Sequence, residues 1–239
     1  MSNFHLEVLA LSRGNGSSLA DYANYITGQT VRDDIKEKTY SCRRDDVAFS
    51  NIYLPDTAPA NYQDLQALIS AMDKAEKRVD ARTARKFIGS LPNELPLEEQ
   101  IAIAKEFVEE NFICRGLCTI AAIHTGINHE DPAKDNPHVH LIVSTRQLNS
   151  EGFAPKKDRS LDRNENIETW RKSWEDIQNR AYERAGLDVR VSRLCLEVQR
   201  GYGPTENFYV PLWKMEQKRE ANREHCAEHE YVPDEREYV

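Results

Sequence analysis

The sequence predicts a mixed α/β (α+β) fold, and three observations predict it. Two apolar runs, Leu117 to Ile123 and Val139 to Val143, have the length and character of buried strands. Two other stretches carry apolar residues at helical spacing. Leu97 to Val108 opens on acidic residues, as the helix dipole prefers, and Ile167, Trp170, Trp174, Ile177 and Ala181 form a core-facing stripe that Asn166 can cap and Gly186 can end. Finally, 239 residues without an internal repeat can bury a sizeable core, and one domain with a helical appendage suits that length. The expected division is a domain over 1–213 and a charged, apolar-poor helix or tail over 214–239.

In chain order, Phe4 to Ser12 reads as a strand stopped by Arg13-Gly14-Asn15-Gly16, a turn whose glycines let backbone approach a ligand. Ser17 or Ser18 can cap a following helix, with Asp21 placed as in a capping box and Gly28 closing the far end. Tyr22 and Tyr25 stand one turn apart on one face, and spacing alone leaves both core packing and a nucleophile's role open to them. Val31 to Arg44 reads as a polar loop, and Val47 to Leu54 as an edge strand stopped by Pro55. From Asn61 to about Phe87 the chain is rich in Ala, Leu, Lys and Arg without Gly or Pro, which predicts one long helix or two short ones. Asp73, Glu76 and Asp80 share a face there, either solvated or sending a carboxylate to a metal or a nucleophile. Beyond the apolar runs, Lys156, Lys157, Arg159 and Arg163 crowd into an aperiodic segment that reads as a basic loop beside the site, solvated or in contact with phosphate.

The histidines carry the chemistry. Side chains alternate along a strand, so His138 and His140 point one way while Val139, Leu141 and Val143 point into a core. His124 closes the other run, and antiparallel pairing across the loop from Thr125 to Pro137 brings it beside them. Three neutral imidazoles facing one point make a divalent-metal site with open positions; two satisfied polar side chains on a strand are the competing reading of the pair. Such a metal acts as a Lewis acid on a phosphoryl or carbonyl oxygen, and a nearby tyrosine that attacks a phosphodiester leaves a phosphotyrosine ester and a free 3′ hydroxyl.

Composition narrows the class. A net charge of −8 argues against a protein that coats nucleic acid non-specifically, and leaves room for a local basic groove. Cys42, Cys114, Cys118, Cys195 and Cys226 show no Cys-x-x-Cys spacing, which argues against a disulfide framework and fits a reducing cytoplasm. No apolar stretch reaches spanning length and Met1 to Phe4 lacks signal-peptide character, so a soluble cytoplasmic protein with no membrane partner is expected. His225-Cys226-Ala227-Glu228-His229 fits the inverted zincin pattern H-x-x-E-H, but with few apolar residues around it to build a dry cavity it reads as a solvated helix.

Several runs together resemble a family. Leu11-Ser12-Arg13, Gly16-Ser17 and Asn24-Tyr25-Ile26-Thr27-Gly28 look like the amino-terminal signature of MobA/MobL-type conjugative relaxases, which belong to the HUH endonucleases. Ile52-Tyr53-Leu54-Pro55-Asp56, Lys74 to Arg78, Leu91-Pro92-Asn93-Glu94-Leu95, and Ile123-His124 with Asn136-Pro137-His138-Val139-His140 continue it in order over about residues 4 to 200. The resemblance implies a five-stranded antiparallel sheet of the HUH, ferredoxin-like kind with His-x-His on a central strand and helices packed against it. It implies Tyr25 as nucleophile and His124, His138 and His140 as ligands of a divalent ion. The ion expected at three neutral imidazoles is Mn²⁺ or Mg²⁺ ahead of Zn²⁺, and the DNA contacts expected from the basic residues and the first turn are Ser12, Arg13, Lys156, Lys157 and Arg163, with Arg13 beside the nucleophile. The activity implied is strand-specific nicking and rejoining of single-stranded or locally melted transfer-origin DNA through a 5′-phosphotyrosine, in the company of relaxosome accessory proteins and a coupling protein. A non-catalytic origin-binding module and a rolling-circle replication initiator are the alternatives. The chain departs from the pattern at Arg85 to Ser90, where acidic residues are usual, at Phe49 for a histidine, and at Ser192-Arg193-Leu194-Cys195 for Asp-His-Arg-Ser.

Overall fold

The computed structural model describes residues 4–131 and 135–194, and the first compact unit runs Met1–Arg193. The expected boundary at 213, the tail over 214–239 and the His225 to His229 motif lie outside the described residues. Strand β1 is Leu6–Ser12, followed by helix α1, Leu19–Thr27, and a small hairpin of β2, Val31–Asp33, and β3, Lys38–Tyr40. Next come β4, Val47–Tyr53, helix α2, Leu65–Ala75, and β5, Arg82–Ser90. Helix α3, Leu97–Asn111, leads to β6, Leu117–His124, β7, His138–Asn149, β8, Gly152–Phe153, and helix α4, Asn164–Arg184.

The main sheet has the order β1-β5-β7-β6-β4, with antiparallel pairing throughout and β8 folded back on β7. The strand that carries His138 and His140 is thus the middle one, as the resemblance implies, and β4 is an edge strand, as its sequence implies. Alternation along β5, β6 and β7 splits the core in two. Phe87, Ala121, Ile123, Val139, Leu141 and Val143 pack on one face beneath α3 and α4, where Trp170 and Trp174 are fully buried. Ala84, Ile120, Ala122 and Ile142 pack on the other, against Leu19, Ala23 and Ile26 of α1 and Leu68, Ile69 and Met72 of α2. The histidines share this second face with α1.

Four expectations are corrected. The helix predicted from Asn61 to Phe87 stops at Ala75, and Arg82 to Ser90 is the strand β5. Its Arg, Ala and Lys residues favour helix only in isolation; here β1 and β7 flank it and take up its backbone hydrogen bonds on both sides, and tertiary pairing overrides propensity. The polar stretch read as a loop contains the β2–β3 hairpin, packed through Val31 beneath α1 and α2. Asn166 is not the cap of α4, which starts at Asn164 with Arg163 at the cap; the Asn166 side chain donates instead to the Ser160 carbonyl. At the Arg13–Asn15 turn Gly14 packs on Asp80, so of its two glycines only Gly16, which faces open space, leaves backbone accessible to a ligand.

Candidate metal and tyrosine site

Helix α1 is pinned at both ends. The Ser18 hydroxyl accepts from the Asp21 amide and donates to Asp33 at 2.6 Å, and Gly28 closes the helix at φ 67°, where a side chain would be strained. Asn24 is buried and holds the following segment, donating to the Gln29 and Cys42 carbonyls and accepting from the Cys42 amide. This staple places the segment that holds Arg44 and Asp46 against the C-terminal turn of the helix. At the end of β6, Gly126 adopts φ 56° and lies so close to Asn136 that a Cβ would fall 2.1 Å from its carbonyl oxygen; only glycine closes the loop that sets His124 opposite His138.

The three imidazoles converge, as their spacing implied. One nitrogen of each lies within 4.8 Å of the others, and ring centroids are 4.5 to 5.4 Å apart. Their outer nitrogens are tied down. His124 Nε2 lies 2.9 Å from the Ile26 carbonyl, one of the last-turn carbonyls that a helix cannot satisfy itself, and His138 Nδ1 lies 2.8 Å from the Asn136 carbonyl. Carbonyls only accept, so these nitrogens carry the protons, and His124 Nδ1 and His138 Nε2 carry lone pairs. His140 Nδ1 lies 3.2 Å from the Tyr22 hydroxyl. His124 Nδ1 and His140 Nε2 are buried and have no hydrogen-bond partner among the described residues. Two orphaned buried imidazole nitrogens aimed at one point are costly unless a further group meets them, so the donor set fits a metal ion. Burial pushes both groups down, His140 to about 3 with neighbouring imidazoles adding to it, which keeps them in the neutral form a ligand needs.

The two tyrosines stack over this cluster with centroids 5.9 Å apart, and Tyr25 lies edge-on to His124 and His140 at 5.9 and 5.7 Å. Their surroundings differ. Tyr22 is enclosed; burial first, then Tyr25 and Glu7, push its phenol up, so it stays protonated and bonded to His140. Tyr25 is 42 % exposed, with the Arg44 guanidinium 4.3 Å above its ring. That guanidinium grips Asp46 with two hydrogen bonds of 2.8 and 2.5 Å, and hydrogen bonding from Arg44 holds the Asp46 carboxyl down at about 2, 3.8 Å from His124 Nδ1. The sequence gives no sign of Arg44 and Asp46, because an Arg-x-Asp pair in a polar stretch carries no periodic signal.

The basic candidates lie elsewhere. Ser12 pairs with Arg82 at the end of the sheet opposite the histidines, roughly 20 Å away along the strands, so Arg13 does not stand beside Tyr25. Its guanidinium bonds Asp73 at 2.8 Å and the Asp73, Glu76 and Arg78 carbonyls. Lys157 bonds the buried Glu76 at 2.9 Å together with Arg146 at 2.8 Å, and the Asp158 amide ties the basic loop to Thr145 on β7, not to the histidine end. Asp73 and Glu76 therefore form neither a solvated face nor a metal-directed one; they neutralise cations. Lys156 and Arg163 are exposed. This far end holds a cavity of about 940 Å³ lined by nine lysine and arginine side chains against four carboxylates.

An antiparallel sheet with three histidines on its inner strands and a tyrosine-bearing helix laid over them is the HUH fold of the relaxases. The chain belongs to the MobA/MobL family, whose model matches residues 17–218. It is 32% identical over 162 residues to a probable mobilization protein MobA of Bifidobacterium longum, covering 66% of this chain and 28% of that one. To mobilization protein A of Escherichia coli it is 29% identical over 219 residues, covering 83% and 28%. It thus spans less than a third of either relative. Among solved structures, one from work on the molecular basis of vancomycin resistance transfer in Staphylococcus aureus superposes with a TM-score of 0.72 at 28% identity, over 81% of this chain and 100% of that one. The conjugative relaxase TrwC, solved metal-bound in complex with oriT DNA, matches at 0.51 and 11% identity over 96% and 85%, a likeness of fold.

Proposed function

We propose that this chain is a mobilisation relaxase that nicks one strand of transfer-origin DNA with Tyr25 as nucleophile. One observation carries the reading: an exposed tyrosine ring laid over three converging imidazoles whose outer nitrogens are all fixed. In the reaction the Tyr25 oxygen bonds to phosphorus, the bond from phosphorus to the 3′ oxygen breaks, and the phenolic proton is lost as the 3′ oxygen gains one. The products are a 5′-phosphotyrosine and a 3′ hydroxyl, and the reverse step rejoins the strand. His124, His138 and His140 hold a divalent ion, Mn²⁺ or Mg²⁺ ahead of Zn²⁺, which when bound polarises the attacked phosphate. Tyr22 donates no nucleophile; it receives the His140 Nδ1–H and so turns Nε2 toward the ligand position. Arg44 packs on Tyr25 and keeps its ring over the cluster. The cation-lined cavity, with the exposed Lys156 in its wall and Arg163 at that end, supports phosphate contacts several nucleotides from the attacked linkage, whereas Lys157 and Arg13 are held by Glu76 and Asp73. Accessory proteins and a coupling protein belong to this reading as partners. Among the described residues no helix is long and apolar enough to cross a membrane.

The test is incubation of the purified chain with single-stranded origin DNA and a divalent ion, followed by a denaturing gel and peptide mapping. A covalent adduct on Tyr25 that chelator prevents is expected; no adduct with any metal or origin strand would replace this reading with a binding module.

A further inference from the structure

The tyrosine pair lies between two cations. Arg44 covers Tyr25 at 4.3 Å, and on the other side the Lys86 ammonium lies 5.2 Å from the Tyr22 ring centroid. Lys86 sits on β5 two residues from Ile88, which pairs with His140, so alternation puts it on the histidine face. The two cations are not equivalent. The fork of Arg44 is taken by Asp46, and Arg13, Arg85, Arg146 and Lys157 are likewise joined to Asp73, Asp162 and Glu76. Lys86 is half-buried and pairs with no carboxylate among the described residues. Glu7, on the same face of β1 at the register of Ile88, forms no ion pair with it. A half-buried ammonium whose contact among the described residues is an aromatic face, not a carboxylate, keeps its charge for an anion.

We propose that Lys86 is a substrate-binding residue of this site, its ammonium taking a non-bridging oxygen of a DNA phosphate at or next to the linkage that Tyr25 attacks. The inference rests on the nicking reading and assigns it a residue. A strand laid across the exposed Tyr25 toward the histidines passes the tyrosine pair, and of the two cations described beside that pair Lys86 is the one that no carboxylate among the described residues neutralises. A compact ammonium suits the position, since it meets a single phosphate oxygen without needing a bidentate fork.

The experiment uses the full chain and a single-stranded oligonucleotide spanning the linkage at which the wild type forms its adduct. Lys86→Ala should weaken binding roughly tenfold, as the loss of one charged hydrogen bond does, and should lower the slope of log affinity on log salt by about one phosphate contact. Lys86→Arg should restore most of both. A scan with methylphosphonate, which neutralises one linkage at a time, should find one position that weakens the wild type about as much as Lys86→Ala does and has no further effect in that variant; a merely structural lysine would give no such position. Equal affinity and salt slope in Lys86→Ala, or methylphosphonate effects that add to the mutation at every linkage, would overturn the proposal. A wild type that binds DNA but forms no adduct would remove the nicking reading, and Lys86 would then stand or fall on the salt slope alone.

Discussion

Replacing each tyrosine by phenylalanine separates positioning from attack. Tyr22→Phe takes a hydroxyl from a site where it lies 3.2 Å from His140 Nδ1, and His140 is 3 % exposed, so water does not readily replace it. An unsatisfied buried nitrogen costs about 1 to 2 kcal/mol. Losing the group that orients a ligand imidazole lowers metal affinity on the order of tenfold to a hundredfold. Tyr25 is 42 % exposed and packs under Arg44 through its ring, which phenylalanine keeps, so Tyr25→Phe should change stability by less than about 0.5 kcal/mol and leave metal affinity alone. Urea unfolding gives the first quantity, calorimetric titration with Mn²⁺ the second, and a gel for the protein–DNA adduct the third. At saturating metal Tyr22→Phe should still be captured, while Tyr25→Phe should not. Capture that persists in Tyr25→Phe, with wild-type metal affinity in Tyr22→Phe, would exchange the two roles and refute the reasoning.

Other outcomes follow from the same contacts. His138→Ala should abolish adduct formation and weaken Mn²⁺ binding with the sheet still folded, since β7 is held by its aliphatic residues; circular dichroism and the gel assay check both parts. Glu76→Gln should destabilise by about 2 to 3 kcal/mol, because it strips the carboxylate from Arg146 and Lys157. Burial alone would raise the Glu76 carboxyl, but those two cations bring it below its unfolded value, so its contribution is full above about pH 4.5 and fades as pH falls through the folded value. Unfolding curves of the two proteins should therefore converge on acidification, and a gap that stays constant to pH 2 would count against the pairing. Gly89→Ala should cost about 1 to 3 kcal/mol, as its Cβ would meet the Trp174 ring at 2.8 Å; a thermal midpoint equal to the wild type's would show that the ring can move aside.

Alternation and capping were legible in the residues themselves. The period of two at His138 and His140, the apolar run ending in His124, the Ser18 cap and the Trp170, Trp174 stripe each follow from local rules, and the structure keeps them. Resemblance, not spacing, chose Tyr25 over Tyr22. The physical difference between the two lies in their neighbours, since His140 bonds one and Arg44 covers the other, and those neighbours come from 118 and 19 positions along the chain. Strand β5 is not legible in its residues, because its Ala, Arg and Lys favour helix until two flanking strands claim their backbone. The basic segment was legible as basic but misplaced, because sequence nearness to the histidine strand says nothing of which end of a 12-residue strand a loop returns to. The same holds for the charges of Asp73, Glu76 and Lys86. Local pattern decides which way a side chain points, whereas which charges are neutralised and which remain for a ligand depends on partners drawn from distant parts of the chain, and the tertiary structure alone brings those together.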